Sequence, residues 1–337
     1  GPSAISAMDR VDYANDSAVA APKGPVTLGR WMVAAFGNAS YGYWGGGRSP
    51  SPVSTVDRAD FSNDTPTTST KGPLTIAGAV SSGGTGNQNY GYVGGGDTPT
   101  RSTIQKIDYS NDTAEATNVA TTGINGNPNR GMAATGNKDY GYWGGGDYHP
   151  NEVTYMRRLD YSNDTTNATP KGNLTAARYK FSATGNSSYG YWGGGAYDTA
   201  PGFTTIDRLD YANDTATTVT KGPLATGRWG STSTSSRESG LPTSGPGPVT
   251  VDKGADGFEV PVPPTETFGP AYGYIPNGWP VNTRIQRIDF DNDTATTVNK
   301  GNLASPAGYS AGMSNTTHGY VTSGLNASSA PQTTVQR

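Results

Sequence analysis

The residues in this chain that could do chemistry recur at regular intervals. A basic residue stands two positions before an aspartate in six places: Arg10/Asp12, Arg58/Asp60, Lys106/Asp108, Arg158/Asp160, Arg208/Asp210 and Arg287/Asp289. In a β-strand both members of such a pair lie on one face, so a ring of pairs could line an ionic channel or a ligand site. Because the motif is repeated in every unit, we favour an architectural role, in which the pairs form ion and hydrogen-bond ladders between neighbouring sheets.

Catalytic chemistry has little support in the remaining residues. The chain has no cysteine and two histidines, His149 and His318, at unrelated positions of the repeat. These counts exclude disulfides, thiol nucleophiles and Cys-ligated metals, and they argue against a Ser-His-Asp triad. The glycine triplets, such as residues 45–47, lack the Gly-Lys-Ser/Thr signature of a phosphate loop. We predict a protein that is not an enzyme and that carries no cofactor or metal.

The charge and the apolar content of the chain argue against nucleic acid and membranes as binding partners. The 337 residues carry a net charge of −3, only 15% of them are charged, and the isoelectric point is about 5.4. We therefore expect no basic surface for nucleic acid. No run of residues approaches the roughly 18 consecutive apolar residues of a membrane-spanning helix, so we expect no membrane insertion.

The elements that must position these residues form a repeat of about 50 residues. A Y-G-Y-W-G-G-G motif or a variant of it begins at Tyr41, Tyr90, Tyr140, Tyr189, Tyr272 and His318, and a K-G-[PN]-L motif begins at Lys23, Lys71, Lys171, Lys221 and Lys300. An Asn-Asp-Ser/Thr turn follows each Arg-x-Asp motif and is expected to close a hairpin. K-G-[PN]-L is expected to form a further turn, in which glycine permits a positive φ. Each repeat predicts four short strands and no helix, which is the content of one propeller blade.

The two ends of the chain contain complementary parts of one repeat. The chain begins at an Arg-x-Asp element and ends with the element that begins at His318. We therefore predict an all-β propeller of six four-stranded blades, closed by N- and C-terminal strands, as a single domain over residues 1–337. Seven blades is the alternative, because residues 333–337 are similar to the start of another strand.

The order of these motifs resembles that of kelch repeats. The matching residues are an opening arginine at Arg30, Arg130, Arg178 and Arg228, the glycine triplets, and an aromatic residue at Tyr13, Phe61, Tyr109, Tyr161, Tyr211 and Phe290. The sequence motifs D-Y-x-N-D-T-A, K-G-P-L and Y-G-Y-W-G-G-G resemble those of kelch-like propellers in virion structural proteins of marine phages, especially phages that infect cyanobacteria. The likeness implies a virion structural or adhesion protein of a tail fibre, a tail or a head decoration. The copper site of the kelch-containing galactose oxidases cannot form here, because the chain lacks cysteine and paired histidines.

Binding residues are expected where the repeats differ. The loops after each Y-G-Y-W-G-G-G motif are unlike one another, and antiparallel connectivity gathers them at one end of a propeller. They offer stacking rings and hydrogen-bonding groups suited to sugar or protein recognition. The candidate residues are Tyr148, His149, Asn151, Tyr197, Asp198, Phe203 and Trp279. Ordinary variable loops are the alternative interpretation.

The fifth repeat carries an insertion over residues 231–270. It contains proline-rich segments and the acidic residues Asp252, Asp256 and Glu259, and it is expected to project from the opposite end of the propeller. An excursion of roughly 30 residues is uncommon unless it binds something. A docking arm for a partner subunit and a tolerated surface insertion are equally supported.

These patterns and the kelch likeness together predict a non-enzymatic virion protein on an extracellular particle. Its expected partners are other virion proteins and a host-surface glycan or receptor, and a homo-oligomer is an open alternative. A secreted bacterial carbohydrate-binding or cell-surface kelch protein is the alternative function. A sugar-active enzyme is a third hypothesis, and it requires several acids in one pocket.

Overall fold

A computed structural model of the protein describes residues 4–77, 82–97, 101–122, 129–148, 151–197, 202–235, 251–253, 259–261, 272–279, 281–322 and 324–326. Within these ranges the chain forms six four-stranded antiparallel sheets, arranged as blades in a ring. The protein is a six-bladed β-propeller. The predicted fold and blade count are confirmed, and the seven-blade alternative is wrong for the described residues. No helix in these ranges is long and apolar enough to cross a membrane.

Each blade runs from an inner strand beside the axis to an outer strand at the rim. From inner to outer, the strands are Ala311–Ser314, His318–Thr322, Met8–Asp12 and Ala21–Lys23 in blade 1, and Ala34–Gly37, Tyr41–Gly45, Val56–Asp60 and Ser69–Lys71 in blade 2. They are Gly83–Gly86, Tyr90–Gly94, Thr103–Asp108 and Thr117–Thr121 in blade 3, and Ala133–Gly136, Tyr140–Gly144, Met156–Asp160 and Thr169–Lys171 in blade 4. They are Ser182–Gly185, Tyr189–Gly193, Ile206–Asp210 and Val219–Thr220 in blade 5, and Thr234–Ser235, Tyr272–Pro276, Asn282–Asp289 and Val298–Ala307 in blade 6. Blade 1 combines strands from both ends of the chain, as predicted.

Short elements connect these strands. Among the described residues, two-stranded ribbons pair Arg48–Ser49 with Ser51–Pro52, Asp147–Tyr148 with Asn151–Glu152, and Val251–Lys253 with Glu259–Pro261. Single-turn 3-10 helices span Tyr13–Asn15, Tyr109–Asn111, Tyr161–Asn163 and Tyr211–Asn213. The aspartate of the Arg-x-Asp motif caps each helix; for example, Asp108 accepts a 2.9 Å hydrogen bond from the Ser110 N–H. The predicted helix-free turn is therefore a short 3-10 helix in four repeats.

The hydrophobic core lies between adjacent blades. Tyr43, in the second strand of blade 2, stacks on Tyr109 of blade 3 with ring centroids 4.8 Å apart. The equivalent stacks at the other five joints are Tyr92–Tyr161, Tyr142–Tyr211, Tyr191–Phe290, Tyr274–Tyr13 and Tyr320–Phe61. The second tyrosine of Y-G-Y and the aromatic residue after Arg-x-Asp thus recur because each joint between blades needs one ring from each side.

The glycine of the K-G-[PN]-L motif has a different role from the one predicted. A Cβ atom on Gly72 would lie 1.8 Å from the Ala114 carbonyl oxygen of the next blade, so only glycine allows the two backbones to approach. Its φ is not in the left-handed region, so the turn does not use the positive φ that glycine permits. The glycine triplets do use that region, because Gly46 has a φ of 72° and Gly47 a φ of 87°.

Candidate functional site

The ring has two different ends. We call the end where the inner strands begin the upper face, and the opposite end the lower face. The loops that follow the glycine triplets pair with the segments that lead into the inner strands, through bridges such as Tyr179–Ala196 and Trp229–Trp279. These loops therefore lie on the upper face.

Six carboxylate clamps join neighbouring blades through the aspartates of the Asn-Asp-Ser/Thr turns. Asp112 of blade 3 lies 2.6 Å from Arg58 Nη1 and 3.3 Å from Lys71 Nζ of blade 2, and it accepts a 2.8 Å hydrogen bond from the Tyr43 phenol. The preceding blade holds Asp16, Asp64, Asp214 and Asp293 in the same way, through two cations and a tyrosine. Asp164 meets Lys106 and the Tyr92 phenol, and no second cation among the described residues. Because donors of the protein itself surround each carboxylate, these acids join blades and are not available to a ligand.

The clamps correct the predicted pairing within the Arg-x-Asp motif. The basic residue does join neighbouring blades, as expected. Its partner was predicted wrongly, because Arg58 contacts Asp112 of the next blade. Asp60, the aspartate of the same motif, instead accepts a 2.9 Å hydrogen bond from the Ser62 N–H and caps its own turn. No group of three or more His, Asp or Glu side chains that could hold a metal occurs among the described residues.

The structure describes five of the seven predicted binding residues, all on the upper face. Tyr197 is 41% exposed and meets Phe203 edge-on, with ring centroids 4.9 Å apart. Asn151 is exposed on the ribbon that also contains Tyr148, and Trp279 belongs to a separate group of rings. The other two, His149 and Asp198, lie outside the described residues. Their shared role in binding stays a prediction.

The group around Trp279 includes residues that the sequence reasoning missed. Trp229 stacks on Trp279 at a centroid distance of 5.8 Å, and the Tyr309 ring lies edge-on to Trp229 at 5.6 Å. Lys180 Nζ lies 5.3 Å from the Trp229 ring centroid and donates a 2.7 Å hydrogen bond to the Tyr179 phenol. We call these five residues the upper-face cluster. Tyr179, Lys180, Trp229 and Tyr309 come from the segments before the inner strands of blades 5, 6 and 1, whereas Trp279 comes from the loop after the second strand of blade 6. Among these five, a Tyr or Trp directly after the opening arginine marks only Tyr179 and Trp229 in the sequence.

A series of four backbone hydrogen bonds, which passes through five of the six blades, supports the cluster. The Met32 N–H donates to the Tyr309 carbonyl at 3.0 Å, Tyr309 to Gly230 at 2.7 Å, Gly230 to Lys180 at 2.6 Å and Lys180 to Gly131 at 3.0 Å. All five residues have a φ between 56° and 66°. A left-handed conformation costs a non-glycine residue about 1 kcal/mol, and such strain is concentrated at functional sites. Three of the five positions nevertheless carry a side chain.

The channel below these residues is narrow. It is lined by the inner strands and contains two cavities among the described residues, of about 140 Å³ near the upper face and about 100 Å³ further down. Pockets for drug-sized ligands are roughly 300–1,000 Å³, so the channel itself does not accommodate a sugar chain or a peptide. A ligand of that size would contact the mouth of the channel on the upper face.

Buried arginines precede the inner strands of blades 2, 5 and 6, and the one in blade 6 lacks an acid. A fourth buried arginine, Arg157, lies on the third strand of blade 4 and donates to the Met156 carbonyl. Arg30 pairs with Asp57 at 2.7 Å and Arg178 with Asp207 at 2.9 Å, with all four side chains fully buried. Arg228 occupies the same position in blade 6, where Gln286 replaces the aspartate. Its guanidinium donates to the carbonyls of residues 275 and 277 at 3.1 and 2.8 Å. Burial, and secondarily the Arg284 charge, lower the pKa of Arg228 to about 10.

Arg130, matched with these arginines in the sequence, lies one position further along. It aligns with Tyr179 and Trp229, and its side chain bonds Asp147 at 2.8 Å and Asp97 at 3.2 Å. In blade 4 the position equivalent to the buried arginines is occupied by Asn129, which is partly buried and donates to the Gly145 carbonyl at 2.8 Å. The kelch-like alignment of this fourth arginine is therefore wrong.

The insertion of the fifth repeat leaves the ring from the lower face, between the strands Thr234–Ser235 and Tyr272–Pro276. Asp252 and Glu259 lie on the two strands of its ribbon, and Asp256 lies outside the described residues. The prediction that these acids dock a partner stays a prediction.

Neither a protein-family model nor a curated protein matches the chain. The function must therefore be argued from the chemistry of the upper face.

Proposed function

We propose that the protein is a non-enzymatic kelch-type attachment module of a phage virion, in a tail fibre, a tail or a head decoration. Its upper face contacts a host-surface glycan or a protein partner. The observation that carries this proposal is the upper-face cluster, in which Trp229, Trp279 and Tyr309 are all only partly buried. Aromatic residues clustered on a surface are typical of recognition sites.

The cluster differs from the rest of the ring because it breaks the repeat. At the position of Trp229, four of the other five blades have Trp31, Arg130, Tyr179 and Gly308, as the equivalent bridges on the upper face define; the position in blade 3 lies outside the described residues. Trp229 is the member of this set that packs against rings from both its own loop and the next blade. The clamps and the stacked rings between blades account for the repeated residues. A departure from the repeat that also exposes aromatic surface favours binding.

The virion assignment rests on the likeness of D-Y-x-N-D-T-A, K-G-P-L and Y-G-Y-W-G-G-G to kelch-like phage proteins. A secreted bacterial carbohydrate-binding protein is the second candidate, because the aromatic cluster would suit a sugar in either setting. The proposed partners are other virion proteins and a host-surface glycan or receptor.

Two experiments test the proposal: co-sedimentation of the native protein with virus particles, and retention of the purified protein on host envelope material. Native material should co-sediment with capsid or tail proteins, as mass spectrometry of the particle fraction would identify. Trp229→Ala and Trp279→Ala should abolish retention on host envelope material. Trp31→Ala, at the same position in blade 2, should keep it. A soluble species without particle proteins would favour the secreted alternative. Unchanged retention of both cluster variants would show that the upper-face cluster does not bind the host material.

A further inference from the structure

We infer that one hairpin of blade 1, formed by the strands Met8–Asp12 and Ala21–Lys23, opens locally while the rest of the ring stays folded. We call it the closing hairpin. Its opening does not depend on the proposed attachment function. Two observations support it: a buried acid that has no cation, and the way in which the strands of this blade are connected.

The buried acid is Asp9, which lies on the closing hairpin and is only 3% exposed. Its Oδ2 accepts a 2.9 Å hydrogen bond from the Ser305 N–H, whereas its Oδ1 has no hydrogen-bond partner among the described residues. The other buried aspartates in the described ranges all form ion pairs: Asp16, Asp57, Asp64, Asp112, Asp147, Asp207, Asp214 and Asp293. Asp9 is therefore buried without the counter-charge that the others have.

The repeat shows which partners Asp9 lacks. At the equivalent position of blade 2, Asp57 accepts a 2.6 Å hydrogen bond from the Thr27 hydroxyl and pairs with Arg30 at 2.7 Å. Blade 5 has the same arrangement, with Asp207, Thr175 and Arg178. A hydroxyl group and a guanidinium group thus satisfy this carboxylate in both blades.

In blade 1, alanines stand at the positions of both partners. Ala304 follows Lys300 by four positions and Ala307 by seven, and in blade 2 these positions after the lysine carry the threonine and the arginine. Burying a carboxyl group without such partners costs free energy in either protonation state, because either the charge loses its hydration or the group must take up a proton. The closing hairpin bears this cost, since Asp9 is removed from water only when the hairpin packs in the blade.

The second observation is the connection between the second and third strands. In blades 2 to 6 these two strands are consecutive in the chain, so a loop joins them. In blade 1 the strands His318–Thr322 and Met8–Asp12 pair over five residues, but the hydrogen bond from the Thr322 hydroxyl to the Ala7 carbonyl spans 315 positions. Contacts rather than a loop therefore hold the closing hairpin against its neighbour.

The two features occur together in blade 1. Blade 4 has one of them, because Arg157 is buried there without an acid among the described residues, but a loop joins its second and third strands. The clamps do not distinguish the closing hairpin, since Arg10 and Lys23 meet Asp64 at 2.8 and 3.0 Å, much as in other blades.

A hairpin with the usual contacts, an added burial cost and no loop is expected to open before the others. Its opening frees the edge of the strand His318–Thr322. A free strand edge is a template for pairing with another strand. The closing hairpin therefore determines whether blade 1 offers a strand edge to a partner.

Hydrogen exchange of the full chain, read by mass spectrometry at about pH 7, measures the opening of each blade. After correction for intrinsic rates, we expect the amides of Met8–Asp12 to exchange about tenfold or more faster than those of Val56–Asp60 and Met156–Asp160. These are the equivalent strands of blades 2 and 4. Blade 4 controls for a buried charge in a blade whose strands are joined by a loop.

Three variants test the role of Asp9. Asp9→Asn removes the charge and should slow exchange of the closing hairpin about tenfold. Ala304→Thr, at an exposed position, restores the missing hydroxyl and should slow that exchange about threefold. Asp57→Asn is the matched control, because it removes the acid that Arg30 needs. It should speed exchange in blade 2 and should not slow exchange of the closing hairpin.

A disulfide tests the opening itself. Asp12 and His318 are direct partners in the register of the two strands, and the chain has no cysteine of its own. Paired residues of antiparallel strands lie close enough for a disulfide. The oxidised double variant Asp12→Cys/His318→Cys should lose the fast exchange of the closing hairpin, and reduction should restore it. Exchange in blade 2 should be the same in both states.

Equal exchange of the closing hairpin and its counterparts would overturn the inference. Faster exchange of the hairpin in Asp9→Asn would also overturn it, because Asp9 would then stabilise the packed state. An effect of Asp9→Asn that is spread evenly over the six blades would show global rather than local opening. Fast exchange that persists in the oxidised double variant would show that the hairpin does not separate from His318–Thr322.

Discussion

The Tyr43 phenol of blade 2 donates a 2.8 Å hydrogen bond to the Asp112 carboxylate of blade 3. Arg58 and Lys71, also of blade 2, meet the same carboxylate. One acceptor on one blade therefore satisfies three donors on its neighbour, and its loss would leave a buried phenol and two cations without their partner.

We expect Asp112→Ala to lower the free energy of unfolding by about 3 kcal/mol, because breaking one side of a buried charged network leaves the other side unpaired. Asp164→Ala should cost less, since Lys106 is the one cation that meets this carboxylate among the described residues. Asp139→Ala, which removes only the exposed pair with Lys138, should cost under about 0.5 kcal/mol. Urea unfolding measures all three, and equal losses would contradict a stabilising role for the clamps.

Stability should fall in acid because of these carboxylates. Burial alone would raise the pKa of Asp64, but Lys23, Arg10 and Tyr320 together hold this pKa below its usual value. The pKa of Asp214 is lowered in the same way, against burial, by Lys171, Tyr142 and Arg158.

A lowered native pKa means that the unfolded chain binds the proton more readily. The clamp contribution is therefore complete above the unfolded pKa of about 4 and is lost as the pH falls through the native value. Urea midpoints should be level from about pH 7 to 5 and decline below that. Asp64→Asn should flatten the decline, and a midpoint that is independent of pH down to about 3 would contradict the prediction.

The repeat pattern carries most of the information about the ring. The pairing of Tyr43 with Tyr109 has a counterpart at every joint, and the recurrence of these two motifs along the chain is enough to predict six blades and their closure. The partner of Arg58 could not be predicted, because it lies 54 positions away in another blade. Two aspartates follow each arginine, and only the register between blades decides which of them it meets.

The upper-face cluster was harder to predict than the ring. Tyr179, Trp229, Trp279 and Tyr309 are far apart in the chain and come from three blades, so no local spacing brings them together. Trp279 lies in a loop that differs from its counterparts, which marks it as a candidate, whereas Trp229 follows an arginine of the repeated motif. The left-handed conformations of Met32 and Lys180 could not be predicted from residue type, because neither methionine nor lysine favours a positive φ and the surrounding structure imposes it.

Gln286→Asp should stabilise the protein by about 1 kcal/mol, since it gives Arg228 the acid that Arg30 and Arg178 already have. Asp57→Gln is the reciprocal variant, which recreates the blade 6 arrangement in blade 2. It should cost about 3 kcal/mol, because it leaves the buried Arg30 without its counterion. Both are measured by urea unfolding. A loss of stability in Gln286→Asp would indicate that the carbonyl partners of Arg228 already compensate its charge.

Lys180→Gly should be more stable than Lys180→Ala by about 1 kcal/mol. Both variants lose the ammonium over Trp229, but alanine keeps the cost of a φ of 58° and glycine removes it. Gly230→Ala tests the converse, because the new Cβ would meet Trp279 and Tyr309 at a φ of 59°. It should cost about 2 kcal/mol. Thermal unfolding compares the three, and equal stability of the two Lys180 variants would show that the position is unstrained.

The joint between blades 6 and 1 uses the same contact as the others, with Arg287 Nη1 2.8 Å from Asp16. That joint connects distant parts of the chain, yet in chemistry it matches the joints between consecutive blades. The circle therefore has no privileged starting point. A circularly permuted chain that began at another repeat should keep this ion pair and its counterparts at the other five joints.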